Sequence, residues 1–256
     1  MKGFWSVYRK DLYSLFASPI FYVLAVTFLI LSGYFFYSTV AYYNLLSFQA
    51  SQNPMMARQL NLADMVLRPF FLDISIILLL ISPLITMRVF AEERKNGTIE
   101  LLFTYPISDR ASVFAKFAAV VTALIIILAG TLPGIFMLGY IGNPAWMPIF
   151  CGYLGIFLLG SAFMALGVFT SSLTQNQIIA AVLSFGALLM FWVIGWLKSM
   201  VGPSAGEVIE YMSITKHLDS FAKGILDSRD LIYFVMFIVF FLFLTLRQME
   251  SHRWRG

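Results

Sequence analysis

Six stretches of this chain are each apolar for long enough to cross a lipid bilayer, and that leaves few folds open to it. A helical span needs about 20 predominantly apolar residues, because a helix satisfies its own backbone where no water is present. The stretches lie at about 20–40, 70–87, 116–141, 148–169, 177–197 and 230–246. Composition agrees: 60% of the 256 residues are hydrophobic, and the mean hydropathy is +0.85. The fold expected is all-α, a polytopic membrane protein with six transmembrane helices. The first stretch is too long for a cleavable leader and has no small-residue cleavage site after it, so it is expected to remain as an anchor.

Charge then orients the spans. The net charge is +4, but the cations flank hydrophobic stretches and do not gather on a soluble domain, so no nucleic-acid partner is implied. With residue 1 inside, the inner segments hold three Lys and Arg at the start, five from Arg88 to Lys116 and three in the tail. The outer segments hold two in 44–68 and four in 198–229. The bias predicts both termini and the 88–108 region in the cytosol. Cys151, the single cysteine, excludes an intrachain disulfide and offers no metal pair.

In chain order, residues 1–18 come first. Trp5, Tyr8 and Leu12 recur at helical spacing while Arg9 and Lys10 take other faces, the pattern of an interfacial amphipathic helix or of a simple positive flank. Pro19 ends that run, and 19–256 forms the six-span domain. The 44–68 excursion carries Asn53-Pro54, Asp64 and Arg68; Pro83 falls inside the second span, and Ser108-Asp109 is placed to cap the third. Gly142-Asn143-Pro144 reads as a tight turn before Trp146. In the fourth span Gly152, Gly155, Gly160 and Gly167 fit close helix packing, or a hinge. In the 198–229 excursion, after Gly202-Pro203, Ile209, Met212, Ile214 and Leu218 supply an apolar side for short helices tucked against the membrane, or line a surface loop.

Arg88–Ser108 interrupts this apolar chain with Glu92, Glu93, Arg94, Lys95 and Glu100, five charges in nine residues. Gly97 suits the left-handed position that ends a helix. Thr98 can cap a second short helix carrying Glu100, Leu101, Leu102 and Phe103, which Pro106 stops. Two short amphipathic helices joined at a glycine, or a solvated loop with a surface helix, both fit.

Chemistry is mostly absent from the sequence. There is no GxxxxGK[ST] phosphate loop and no HExxH, and the two histidines, His217 and His252, lie outside the spans, so no catalytic or metal-ligating set is expected. Asp73 is the one acid set inside an apolar run; substrate contact, a headgroup contact and an ion pair with Arg68 are its possible roles. The lack of midplane charge disfavours an ion-driven carrier, so energy is expected from elsewhere. A channel or scaffold subunit is the alternative class, though few polar faces are present to line a pore.

The segment Phe90–Leu102, followed by Thr104-Tyr105-Pro106-Ile107 and Lys116-Phe117, resembles the permeases of exporter-type ABC transporters. Tyr8-Arg9-Lys10-Asp11-Leu12 and Ser18-Pro19 fit as well, although that family more often has Glu where Asp11 stands. Ser213 to Asp230, with His217, Phe221 and Gly224, is similar to the gliding-motility-associated branch and its nitrous-oxide-reductase-maturation relatives. The resemblance implies a permease subunit of a bacterial inner membrane, without nucleotide-binding motifs or a bound cofactor. It further implies two copies of a cytosolic ABC ATPase subunit that handle ATP and Mg, a second permease, and an extracytoplasmic or membrane-anchored auxiliary protein. By the same likeness Glu92, Glu93, Arg94, Gly97, Thr98, Glu100, Leu101, Leu102 and Phe103 form a cytosolic coupling helix region, with Trp5, Tyr8, Arg9, Lys10 and Leu12 as a second contact.

Overall fold

The computed structural model describes residues 2–52, 61–98, 108–142, 146–200 and 203–253. Within them helices joined by short turns are the only regular structure, and six are long and apolar enough to cross a membrane. The N-terminal helix runs Lys2–Ala17, and the first span follows at Pro19–Gln52. A π-helical turn, Ala63–Leu67, leads into the second span, Arg68–Thr86, and a short helix at Ala91–Lys95 comes after it. The third span is Asp109–Ala129, extended by Leu132–Gly142 beyond a break at Gly130-Thr131. The fourth is Trp146–Leu173, and the fifth is Gln177–Val193, continued by a 3-10 segment to Met200. Helices Pro203–Met212 and Ile214–Ala222 precede the sixth span, Ser228–Arg253.

Several bounds correct the sequence reading. The first span does not stop near residue 40: between Gly33 and Pro54 the chain has no glycine or proline, so polar residues such as Asn44 and Gln49 ride on the same continuous helix. The third span's helix begins at Asp109, ahead of the apolar run from about 116, and Ser108 caps it as its sequence predicts, its hydroxyl accepting from the Ala111 amide at 3.3 Å. After residue 202, Pro203–Met212 and Ile214–Ala222 fold back as short helices, the first of the two arrangements expected for this excursion. Ile214, Leu218 and Phe221 are fully buried there, while Met212 stays exposed. Of the sequence-predicted turn Gly142-Asn143-Pro144, Gly142 ends the helix Leu132–Gly142; Asn143-Pro144, Asn53-Pro54, Gly202 and the second short helix with Glu100, Leu101, Leu102 and Phe103 lie outside the described residues.

The fourth span is the centre of the bundle. Of its most apolar window 72% is buried, against 17% for the first and fifth spans. Its glycines explain how so many neighbours reach it. A Cβ on Gly152 would collide with Phe71 of the second span, and one on Gly167 with Thr86 at that span's end. At Gly155 a Cβ would lie 2.5 Å from Phe221, and at Gly160 2.7 Å from Leu124 of the third span. Without a hydrophobic drive between helices in lipid, close backbone approach of this kind holds spans together through dispersion. These glycines are contact points.

Candidate functional site

The charged island is built into the bundle where three elements meet. Lys116 projects from the third span and is 1% exposed. Its Nζ donates to the Val89 carbonyl at 2.9 Å and lies 2.9 Å from Glu93 Oε1 and 3.0 Å from Asp11 Oδ2. Phe90 presents its ring 5.0 Å from the same amine. Lys10 donates to the same Glu93 oxygen at 2.6 Å. Two cations and two carboxylates thus neutralise one another across the N-terminal helix, the short helix and the third span. A buried charge left alone would cost several kcal/mol, so each of these groups holds the others in place. Burial pushes the Asp11 carboxyl above its ordinary value, and Lys116 offsets only part of that push. For Lys10 burial is the largest influence and works the other way, but the bond to Glu93 together with the charges of Glu93, Asp11 and Glu92 outweighs it and raises the amine.

The short helix ends as its sequence predicts. Gly97 has φ 68°, the Gly97 amide donates to the Arg94 carbonyl at 3.2 Å, and the Thr98 amide to the Glu93 carbonyl at 3.0 Å. That is a Schellman closure, and it is why glycine stands there. Its other end is closed by a residue from the fourth span. Ser171 Oγ accepts from the Phe90 and Ala91 amides at 3.0 and 3.1 Å and donates to the Met87 carbonyl at 2.9 Å.

The predicted site residues divide. Glu93 is 8% exposed and already paired, so it is not the open docking charge that its place in the sequence implies. Glu92 and Arg94 are half-buried, while Gly97 and Thr98 are exposed. Along the N-terminal helix Lys10 joins the cluster, Tyr8 pairs its hydroxyl with Thr122 at 3.0 Å, Leu12 is half-buried, and Arg9 and Trp5 face outward. The helix therefore lies along the third span. A cavity of about 630 Å³ opens beside the cluster, with Lys10, Asp11, Arg88, Glu92, Asn96 and Thr98 in its walls. Sequence reading placed Lys116 at a span boundary, noted Asp11 only for its likeness to the family segment, and assigned no role to Ser171. An ionisable residue seven positions into an apolar helix was the available signal for Lys116.

At the other end of the second span the ion pair of Arg68 with Asp73, one of the roles open to Asp73, does not form. Arg68 Nε instead donates to Asp219 at 2.6 Å, and Lys223 lies 2.5 Å from the other Asp219 oxygen. An arginine at the helix start has its reach toward the folded-back helix Ile214–Ala222, so an acid brought close in space wins over one on the same span. Asp73 falls with Ile76, Leu80 and Leu84 on one partly exposed stripe of the span. Nearby, His217 is buried, with Nδ1 2.6 Å from Asp230 and Nε2 2.8 Å from the Tyr211 carbonyl, and its ring stacks on Tyr233. Among the described residues no cluster of His, Cys, Asp or Glu is placed to hold a metal ion.

A family model described as ABC-2 family transporter protein matches residues 5–247, nearly the whole chain. The chain belongs to that family. No curated protein matches it. As an ABC-2 family transporter protein it is a multi-pass membrane permease component, which works with an ABC ATPase and is not itself the nucleotide-binding subunit.

Proposed function

We propose that this ABC-2 permease is half of an exporter, paired with a second permease subunit and driven by two copies of a separate cytosolic ATPase that bind ATP and Mg. The positive-inside count supports the ionic junction as the cytosolic end, with both termini on that side. The ATPase is received on the short helix Ala91–Lys95 and the residues after it, with the N-terminal helix as the second contact. The one observation that carries this reading is the ionic cluster. A helix meant only to lie on the surface has no need of Lys10, Asp11, Glu93 and Lys116 locking it to a span. Docking charge then belongs to Glu92, Arg88 and Arg9, which the cluster leaves out, and charges of this kind supply orientation and association rate.

The first and fifth spans, each largely unburied, form the seam with the second permease. The stripe of Asp73, Ile76, Leu80 and Leu84 lies between them and faces the transported molecule or its gate. In a gliding-motility-like assembly, the helices Pro203–Met212 and Ile214–Ala222 would meet an extracytoplasmic auxiliary protein. The test is co-purification of the ATPase with permease carrying Glu92→Lys and Arg88→Glu. Recovery should fall while insertion is unchanged; undiminished recovery would refute the docking surface. The purified permease alone should hydrolyse no ATP.

A further inference from the structure

The turn between the second span and the short helix breaks the helical ladder at Met87–Phe90, and such a break normally leaves carbonyls and amides for water. Here water is replaced by two side chains. Ser171, fully buried, uses its one proton on the Met87 carbonyl and its lone pairs on the Phe90 and Ala91 amides. Lys116 takes the Val89 carbonyl. Two amides of the turn keep local bonds, Met87 to the Pro83 carbonyl at 2.9 Å and Val89 to the Thr86 carbonyl at 3.1 Å. One turn before Ser171, Gly167 lets the backbone of the fourth span touch Thr86 directly. A turn satisfied from outside by two different spans cannot flex without breaking bonds to both.

We infer that Ser171 and Lys116 are positioning residues that make this turn a rigid joint, so that displacement of the short helix reaches the fourth and third spans directly. This rests on the coupling role proposed above. An ordinary loop would let the second span alone follow the short helix. The joint instead recruits the most buried helix of the bundle, whose glycine contacts distribute the motion to its neighbours.

The experiment uses the permease assembled with its ATPase in liposomes, in a Cys151→Ala background. Spin labels go at Lys95→Cys, beside the joint and used once that labelled variant is shown to bind the ATPase and turn over ATP as the unlabelled complex does, or at Met147→Cys, at the far end of the fourth span. Distances between the two permease copies are read with and without nucleotide. Both pairs should shift in the otherwise native complex. Ser171→Ala should keep ATPase binding and ATP turnover within about twofold, keep the shift at 95, and lose at least half of the shift at 147; Ser171→Thr, which retains the hydroxyl, should restore it. If Ser171→Ala does not accumulate, Ser171→Cys, with its weaker donor and acceptor, should give an intermediate loss. Equal shifts at 147 in the native and hydroxyl-free complexes would overturn the joint while leaving coupling intact. No shift at 95 in the native complex would overturn both.

Discussion

The Lys116 amine lies 2.9 Å from Oε1 of Glu93, with the lysine 1% and the glutamate 8% exposed. Removing one side of such a pair strands the other in a place with little water. Lys116→Met should destabilise the detergent-solubilised protein by about 3 kcal/mol, the lower end for a broken buried pair because Lys10 still reaches Glu93. Combining it with Asp11→Asn and Glu93→Gln should recover much of that loss. Thermal unfolding of the single and triple variants checks both.

Arg68 and Asp219 join the second span to the helix at Ile214–Ala222. Burial works against the Asp219 charge, but the bonds from Lys223 and Arg68 outweigh it and hold the carboxyl below the usual range. A depressed carboxylate contributes stability that is complete above about pH 4 and lost as the pH falls through its folded value. Hydrogen exchange in 214–222 should therefore be flat from neutral pH to about 5 after correction for the intrinsic rate, and accelerate only below the ordinary carboxylate range. Because the pair is partly solvated, Arg68→Ala should cost no more than about 1 kcal/mol.

Gly97 stands in open space, with nothing near enough to obstruct a Cβ, so its φ of 68° alone decides which residues fit. Gly97→Val should cost about 1–2 kcal/mol locally and loosen exchange protection across Ala91–Lys95. Gly97→Asn should be close to neutral. Equal protection in the valine variant would mean that the Schellman closure does not hold the short helix.

Gly167 and Gly186 make a matched comparison. The first has Thr86 against it; the second, in the fifth span, has nothing within 4 Å. Gly167→Leu should prevent recovery of folded protein, whereas Gly186→Ala should be neutral or stabilising by up to about 1 kcal/mol. Yield of monodisperse protein in mild detergent separates the two.

The spans were legible because a bilayer enforces length and apolarity together, and each apolar run became a helix. Gly97 and Ser108 were legible because caps are local: a positive φ or a free amide is answered by a residue next to it in sequence. The ionic cluster was not legible, since Asp11, Glu93 and Lys116 are brought together by packing across more than a hundred positions. Arg68 shows the same limit, because Asp73 is the nearer acid in sequence while Asp219 arrives only with the folded-back helix. Ser171 gave no signal of its own. A serine at the end of an apolar helix is ordinary until the broken turn it serves is in view.

Among the described residues the partners of Lys116, namely Asp11, Val89, Phe90 and Glu93, all precede it in the chain, whereas Ser171 comes last to the turn that it closes. During synthesis the ionic knot can therefore close as soon as the third span leaves the ribosome. The Met87–Phe90 turn, by contrast, keeps open hydrogen bonds until the fourth span has been inserted. A nascent chain stopped between these two events has its charges settled while the Met87 carbonyl and the Phe90 and Ala91 amides still answer to water.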